Sequence, residues 1–336
     1  MTTPIPDAWT LSASAFNLTP TVIEARRDAT EVAASLVAEG LASHIEVELG
    51  QLWRSFPEPL ARDARALRDM LAQLGGRVSI VGGSIDDWAG PNRRRSDDER
   101  YDFLLPQLRT AAALGATGLR LPLGQAGADL LHRLVPVLEE LDVVLFEEAQ
   151  GSGSPSNPAV APAYDTIARI DSPHLRLLVD ISMLMPALPV TYLELLDASD
   201  LPRDLVRRLR DEWQDPATTG AIVDVLRAGE VPPGIHTLFM NLLVRFGRSS
   251  VAELDPVLPL LSAVHLKFWD LDDRDDRVSR PIRELGATLR RSGFAGTLCS
   301  EWGGQEWLDD DPLEITRAHL ALASAALAAS QKPAAA

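Results

Sequence analysis

The sequence predicts an α/β fold, a single (β/α)₈ TIM barrel, and three observations support this prediction. Apolar runs with the character of buried strands alternate with helical patterns along the 336 residues. Eight strand candidates can be counted, and the chain length suits one large barrel. Each of the last four runs ends in a residue of metal-ligand type, at the edge where such barrels carry their active sites. We therefore expect one TIM-barrel domain over residues 1–336.

The eight predicted strands are short and apolar, as strands buried on both faces should be. In chain order they are Ser12–Leu18, His44–Leu49, Arg77–Val81, Gly118–Pro122, Val143–Glu148, Leu175–Ile181, Leu261–Trp269 and Gly296–Glu301.

Start and stop signals mark helices between these strands. Thr19-Pro20 predicts a helix start, and Ser96 followed by Glu99 has the spacing of a capping box. Gly75-Gly76 predicts a helix end, because glycine readily adopts the left-handed conformation of a C-cap. Arg280-Pro281 and Asp311-Pro312 open the last two helices.

The stretch from Met183 to Leu260 is far longer than a strand-to-helix connection needs. Two interpretations stay open: a decoration or oligomer contact, or a helical insert over the C-terminal face of the barrel that builds the substrate pocket. On the second interpretation His236 is the favoured polar contact, with packing within a helix as its alternative role. Helical patterns occur around Thr191–Leu196, Pro202–Trp213, Thr219–Arg227 and His236–Phe246.

Composition excludes several classes of function. The formal net charge of −16 argues against binding to nucleic acid or to an anionic membrane surface. No apolar stretch is long enough for a membrane span, and the N-terminus lacks the features of a secretion signal, so a cytoplasmic location is expected. The single cysteine, Cys299, lies in an apolar run and is interpreted as a buried strand residue.

The most informative residues are the four that end the last predicted strands. They are Glu148, Asp180, His265 and Glu301. Parallel strands of a barrel end on one face, so these side chains should converge. Three carboxylates and one imidazole suit a divalent metal ion that accepts oxygen and nitrogen ligands.

Strand alternation decides between neighbouring candidates on the fifth strand. Glu147 and Glu148 face opposite sides, so only one can be a ligand. The position of the preceding helix–strand junction favours Glu148, with Gln150 beyond it on the same face.

The last two strands carry further candidates. His265, Lys267 and Trp269 share one face, and Lys267 could hold a substrate oxygen or a neighbouring carboxylate. Beyond Glu301, Trp302 or Trp307 could stack against a sugar or could simply pack the last loop.

This pattern resembles the xylose-isomerase-like barrel superfamily of sugar isomerases and epimerases. The resemblance implies one divalent metal, with Mn²⁺ favoured over Mg²⁺, Co²⁺ or Zn²⁺, bound by Glu148, Asp180, His265 and Glu301. The large insert, the Lys267–Trp269 segment and the SEWGG segment look most like catalytic α-subunits of C-glycoside deglycosidases. Those enzymes cleave a sugar–aglycone carbon bond after oxidation of the sugar to a 3-keto form, and they work with a small β-subunit.

Two glutamines depart from that subgroup. Its members often have Glu-x-His on the fifth strand, where this chain has Glu148-Ala149-Gln150, and Gln305 stands where a second histidine is expected. Glutamine cannot act as a general base.

The expected chemistry is polarisation of a keto-sugar carbonyl by the metal and removal of the neighbouring proton. Glu148, Glu301 and Lys267 are the catalytic candidates. If the proton returns at another face or carbon, the enzyme is an isomerase or epimerase. If a substituent is expelled instead, the enzyme is a C–C lyase. A higher oligomer is compatible with both activities. A non-catalytic sugar-binding or partner subunit is the third alternative. The substrate-binding candidates are Gln150, His236, Trp269, Trp302, Gln305 and Arg120.

Overall fold

The computed structural model describes residues 4–330, so residues 1–3 and 331–336 of the predicted domain lie outside the described residues. Eight parallel strands form a closed barrel in sequence order, which confirms the predicted (β/α)₈ architecture. The strands are β1 (Trp9–Ser14), β2 (His44–Glu48), β3 (Arg77–Gly82), β4 (Gly118–Pro122), β5 (Val144–Ala149), β6 (Leu175–Asp180), β7 (Leu261–Phe268) and β8 (Gly296–Trp302).

The helices surround the barrel or lie in the segment between β6 and β7. They are α1 (Thr19–Ile23), α2 (Ala29–Ala38), α3 (Leu49–Leu52), α4 (Ala61–Gln73), α5 (Asp97–Leu114), α6 (Ala128–Leu141), α7 (Ala161–Ile170), α8 (Val190–Asp197), α9 (Arg203–Asp211), α10 (Pro216–Ala228), α11 (His236–Val244), α12 (Ser279–Ser292) and α13 (Pro312–Ala329). None of these helices of residues 4–330 combines the length and hydrophobicity of a membrane span.

The first predicted strand is placed too late in the sequence. Ser12–Leu18 was expected, but β1 spans Trp9–Ser14, and Ala15–Leu18 forms a 3-10 turn. Pairing with β8 already begins at Trp9 opposite Gly296. The Ser14 side chain accepts a hydrogen bond from the Phe16 amide, which ends the strand and starts the turn. The other seven strands differ from prediction by no more than one residue at either end.

The predicted helix signals have clear structural counterparts. Ser96 and Glu99 form a reciprocal capping box at the start of α5. Gly75, just after α4, has a φ of +81°, a conformation that favours glycine. Asp311 accepts hydrogen bonds from two amides in the first turn of α13.

An apolar layer closes the lower part of the barrel interior. Ile80, Phe146, Leu178 and Ala263 come from four different strands, and all are at most 2% exposed. Two residues further along β5, β6 and β7 stand Glu148, Asp180 and His265. Strand alternation therefore places a polar layer directly above the apolar one.

The segment between β6 and β7 has its own apolar core, which includes Tyr192, Phe239 and Phe246 and also Trp269 just after β7. Its last part is held against the β6 end, where the Gly247 amide donates to the Ser182 carbonyl at 2.7 Å. A Cβ on Gly151 would overlap the Val244 carbonyl, so glycine at that position permits the close contact with the loop after β5.

Candidate metal centre and active-site cavity

The four residues predicted as metal ligands come together inside the barrel. Glu148, Asp180, His265 and Glu301 each offer a ligand atom, and these atoms all lie within 4.8 Å of one another. The residues come from four consecutive strands and are at most 5% exposed. The parallel arrangement of β5–β8 thus brings together groups separated by up to half the chain.

The His265 ring is oriented from both sides. Its Nδ1 atom lies 2.9 Å from Glu148 Oε1, 2.6 Å from Glu301 Oε2 and 4.0 Å from Asp180 Oδ2. Its Nε2 atom lies 3.0 Å from a carboxylate oxygen of Glu46. A proton on Nε2 would be donated to Glu46, which leaves the Nδ1 lone pair facing the other three carboxylates.

Unpartnered buried atoms show that this cluster suits a cation. Asp180 Oδ2 is buried and has no hydrogen-bond partner among the described residues, and the close contact of His265 Nδ1 with Glu301 Oε2 lacks the geometry of a hydrogen bond. Buried polar atoms are otherwise almost always paired, and several carboxylates so close together repel one another. One divalent cation would satisfy all of these atoms at once, and the oxygen and nitrogen donors match such an ion.

Glu147 occupies the opposite face of β5, away from this cluster. Its carboxylate accepts a hydrogen bond from the Gly124 amide at 2.5 Å, and the residue is fully buried. Burial raises the pKa of Glu147 to about 7. The geometry therefore places Glu148, not its neighbour, at the centre.

We expect Glu147→Gln to change how stability depends on pH. The folded-state pKa of about 7 exceeds the usual value of 4.5, so the folded chain holds more protons between these values. The free energy of unfolding should therefore fall as pH rises through this window, by up to about 3 kcal/mol. Urea unfolding at several pH values checks this. The slope should be smaller in Glu147→Gln and unchanged in the exposed control Glu140→Gln; equal slopes in all three proteins would contradict the expectation.

Arg120 joins three glutamates in the barrel interior. Its guanidinium contacts Glu46 and Glu48 of β2 and lies 2.9 Å from Glu148 Oε2. Burial opposes the charge on Arg120, but the three carboxylates outweigh it and raise its pKa well above the usual value. Arg120 is thus a fixed cation beside the candidate centre.

Lys267 supplies a second cation on the other side. Its Nζ atom donates to Glu301 Oε1 at 3.0 Å, and its side chain is 10% exposed. Burial favours the neutral amine, but Glu301 and Asp180 outweigh it and raise the pKa of Lys267. The ammonium therefore stays charged next to the candidate ligands.

A cavity of about 690 Å³ opens above the centre. Three predicted substrate-binding residues, Gln150, Trp269 and Arg120, lie in its wall together with the three catalytic candidates, Glu148, Lys267 and Glu301. The buried Trp269 Nε1 has no hydrogen-bond partner among residues 4–330 and can donate to a ligand.

Three predicted substrate contacts are not in this wall. His236 is exposed at the start of α11 and is not among the residues that line this cavity. Trp302 is fully buried, because strand alternation turns it away from Glu301, and its indole donates to the Trp269 carbonyl at 2.9 Å. Gln305 donates to the Phe16 carbonyl at 3.2 Å. Trp302 and Gln305 thus contact the cavity indirectly, through hydrogen bonds to the wall residues Trp269 and Phe16.

Trp307 packs against the segment between β6 and β7. Its ring centroid lies 5.3 Å from that of Tyr192, and its indole donates to Thr191 at 3.0 Å. From the same segment, Val244 and Arg245 line the cavity. The segment therefore contributes to the wall through the end of α11, not through His236.

Glu46 and Glu48 are interior polar residues that were not among the predicted site residues. Both face the interior, since they contact Arg120 and are two positions apart on β2. The alternation in His44-Ile45-Glu46-Val47-Glu48 was the available signal, because a strand buried on both faces should not carry two unpaired acids on one of them.

The chain is similar in sequence to deglycosidase alpha subunits. The chain is 29% identical over 287 residues to the C-glycoside deglycosidase alpha subunit of Arthrobacter globiformis, with 83% of this chain and 81% of the relative covered. It is 26% identical over 292 residues to the 3'-dehydrocarminate deglycosidase alpha subunit of a Microbacterium species, with coverages of 82% and 83%. No family model matches the chain.

Solved structures share the fold. A xylose isomerase domain protein from Alicyclobacillus acidocaldarius has a TM-score of 0.54 at 14% identity, covering 96% of this chain and 100% of that chain. A D-allulose 3-epimerase from a Methylomonas species has a TM-score of 0.53 at 11% identity, with coverages of 96% and 98%. The predicted resemblance is confirmed: the chain has the xylose-isomerase-like barrel fold and is similar to deglycosidase alpha subunits.

Proposed function

We propose that this chain is the metal-dependent catalytic subunit of a C-glycoside deglycosidase, a lyase that cleaves the carbon–carbon bond between a 3-keto sugar and its aglycone. The observation that carries the proposal is the convergence of three carboxylates and His265 Nδ1 around unpartnered buried atoms beneath a cavity. The curated relatives, all named as alpha subunits of deglycosidases, support the substrate class.

In this proposal Glu148, Asp180, His265 and Glu301 hold one divalent ion, with Mn²⁺ favoured. When bound, such an ion supplies a Lewis acid that polarises the keto group of the sugar. Glu46 fixes the His265 tautomer, and Arg120 fixes the direction of the Glu148 carboxylate. These contacts orient the ligand set without binding the ion themselves.

Proton removal next to the keto group falls to a carboxylate of the site. Glu148 and Glu301 both lie in the cavity wall, and both keep their charge because cations stand beside them. Burial favours protonation of Glu301, but the Lys267 ammonium opposes it, and the pKa of Glu301 lies well below the usual range. Lys267 also offers an ammonium group to the negative charge that develops on the substrate oxygen.

Isomerisation or epimerisation of a free keto-sugar is the second candidate function. It begins with the same proton removal and ends with proton return to another carbon or face. The observation that favours it is the presence of two glutamates on separate strands, β5 and β8, in one cavity wall.

The relatives' description as alpha subunits leads us to propose a smaller partner chain. The direct test of function is an assay of metal-loaded protein, with and without a candidate partner, against 3-keto-C-glycosides and free ketoses. Aglycone release is the expected result. Release of neither aglycone nor isomerised sugar, together with sugar binding, would instead indicate a non-catalytic sugar-binding subunit.

We expect Gln150→Ala to reduce turnover by about 10- to 100-fold, the usual loss for a residue that orients a site without reacting. Gln150 lies in the cavity wall two residues beyond Glu148, and its amide can hold a substrate hydroxyl. Steady-state kinetics together with metal analysis check this. Metal content should stay at the parent level, and an unchanged kcat and KM would remove the role.

A further inference from the structure

We propose that Glu48 is a further catalytic residue of this site, the general acid that protonates the aglycone carbon as it departs. The inference rests on the proposed deglycosidase function and adds the second of the two proton transfers that the cleavage requires. Neither Gln150 nor Gln305 can perform that transfer, because an amide side chain does not exchange a proton at neutral pH.

Glu48 reaches the cavity from β2, which lies opposite β6 in the closed barrel. It lies in the same wall as Glu148, Lys267 and Glu301. Its side chain is 22% exposed, against 0% for Glu46 and 5% for Glu148, the other glutamates on Arg120. Among these three acids, Glu48 is therefore the one most open to a bound molecule.

The neighbouring strand leaves room for this carboxylate. Residue 82 on β3 is glycine, and a Cβ at that position would overlap the Glu48 carboxylate. Glu48 also precedes α3 but makes no capping hydrogen bond to it. The side chain is thus turned into the barrel mouth, where Arg120 holds it, and is not used to end a helix.

The charges of the interior favour a proton on this residue. Glu46, Glu48, Glu148, Asp180 and Glu301 surround two lasting cations, Arg120 and Lys267. A divalent ion bound by the four converging residues still leaves one excess negative charge. One proton on one glutamate brings the cluster to neutrality. Two of these glutamates lie outside the proposed ligand set; Glu46 is already engaged by His265 Nε2 at 3.0 Å, which leaves Glu48.

In the metal-free protein the pKa of Glu48 is raised, the direction that this assignment requires. Burial raises it most; Arg120 lowers it, whereas Glu46, Glu301 and Glu148 raise it further, to about 7. Arg120 cannot fully counter the burial, because it divides its charge among three carboxylates. An acid with a pKa near the working pH can both give and regain a proton efficiently.

The step is balanced without an oxidant or reductant. Glu148 or Glu301 removes the proton from C2 of the 3-keto sugar, and that electron pair forms the C1=C2 double bond. The bond between C1 and the aglycone breaks, and its electrons remain on the aglycone carbon. That carbon takes the proton of Glu48, and the products are the unsaturated keto sugar and the protonated aglycone.

Glu48→Gln separates the two proton transfers experimentally. Exchange of the C2 hydrogen with deuterated water, measured by NMR on a 3-keto sugar that has no aglycone, reports the first transfer alone. Aglycone release from a 3-keto-C-glycoside reports both. We expect exchange within a few-fold of the parent and release slower by about 100-fold or more. The parent's release rate should decline above the pKa of its acid, and this decline should disappear in the variant.

Metal content is measured in the same proteins, and Glu58→Gln, at an exposed position in the loop after α3, serves as the control. Unchanged release in Glu48→Gln would overturn the assignment while leaving the proposed function intact. Loss of metal or of exchange in the variant would also overturn it, since Glu48 would then act only by supporting the cluster. Absence of exchange in the metal-loaded parent would instead refute the proposed function.

Discussion

Replacing Asp180 with asparagine should remove most of the bound metal and, with it, the activity. Asp180 Oδ1 accepts a hydrogen bond from the Ser182 amide at 2.7 Å, whereas Oδ2 faces the centre without a partner. The same amide would select the oxygen of an asparagine side chain, which turns the NH₂ group toward the centre. Loss of an orienting contact commonly costs about 10- to 100-fold in metal affinity, and loss of a ligand should exceed that.

Metal analysis after dialysis, together with the activity assay, checks this expectation. Glu147→Gln is a matched control, because it also neutralises one buried carboxylate but on the opposite face of the sheet. Retention of metal and turnover in Asp180→Asn would refute the proposed centre.

Stability of the metal-free protein separates this loss from unfolding. Burial raises the pKa of Asp180 to about 6, so ionisation at neutral pH opposes folding of the metal-free chain. Asp180→Asn should therefore unfold at the same temperature as the parent, or at a higher one, in the presence of a chelator at pH 7.5. A much lower unfolding temperature would mean that the substitution damages the fold.

Lys267→Met should lower kcat by about 100- to 1000-fold, the range found when a preorganised group that stabilises charge is removed. Methionine is unbranched and apolar, so the main change is loss of the ammonium that lies 3.0 Å from Glu301 Oε1. Because lysine is a cation, it binds no metal in this site, and metal content should fall far less than in Asp180→Asn.

Deuterium exchange into a bound keto-sugar identifies the step that Lys267 assists. Exchange should slow by the same factor as kcat if the ammonium stabilises charge during proton removal. Exchange at the parent rate in Lys267→Met would show that Lys267 does not assist proton removal. Arg245→Met is the control for a general loss of positive charge. Arg245 also lines the cavity, from the segment between β6 and β7, and its side chain is 40% exposed.

Much of this architecture is encoded in local patterns of the sequence. Short apolar runs identify seven strands closely, because buried parallel strands need apolar side chains on both faces. The first strand was misplaced because Ser12–Leu18 is as apolar as Trp9–Ser14, and only pairing with β8 decides between them. Such pairing depends on residues almost 290 positions away.

The candidate ligands could be predicted from the residues that end the strands, whereas the side chains that surround them could not. Glu148, Asp180, His265 and Glu301 are each recognisable as the polar residue that ends an apolar run. The partners of Arg120 could not be assigned, since its contacts with Glu46 and Glu48 join strands far apart in sequence. The length and exit point of the segment after β6 suggested His236, but they do not indicate which residues of the segment face the cavity.

Of the 32 lysine and arginine residues in this chain, two are lysines: Lys267 and Lys332. Lys332 lies outside the described residues, and Lys267 stands in the cavity wall beside Glu301. Isotope labelling of the lysine side-chain nitrogen alone therefore gives two ammonium signals, one of which belongs to the residue in the cavity wall. Its ammonium resonance offers a direct spectroscopic readout of metal loading, substrate entry and the charge state of Glu301.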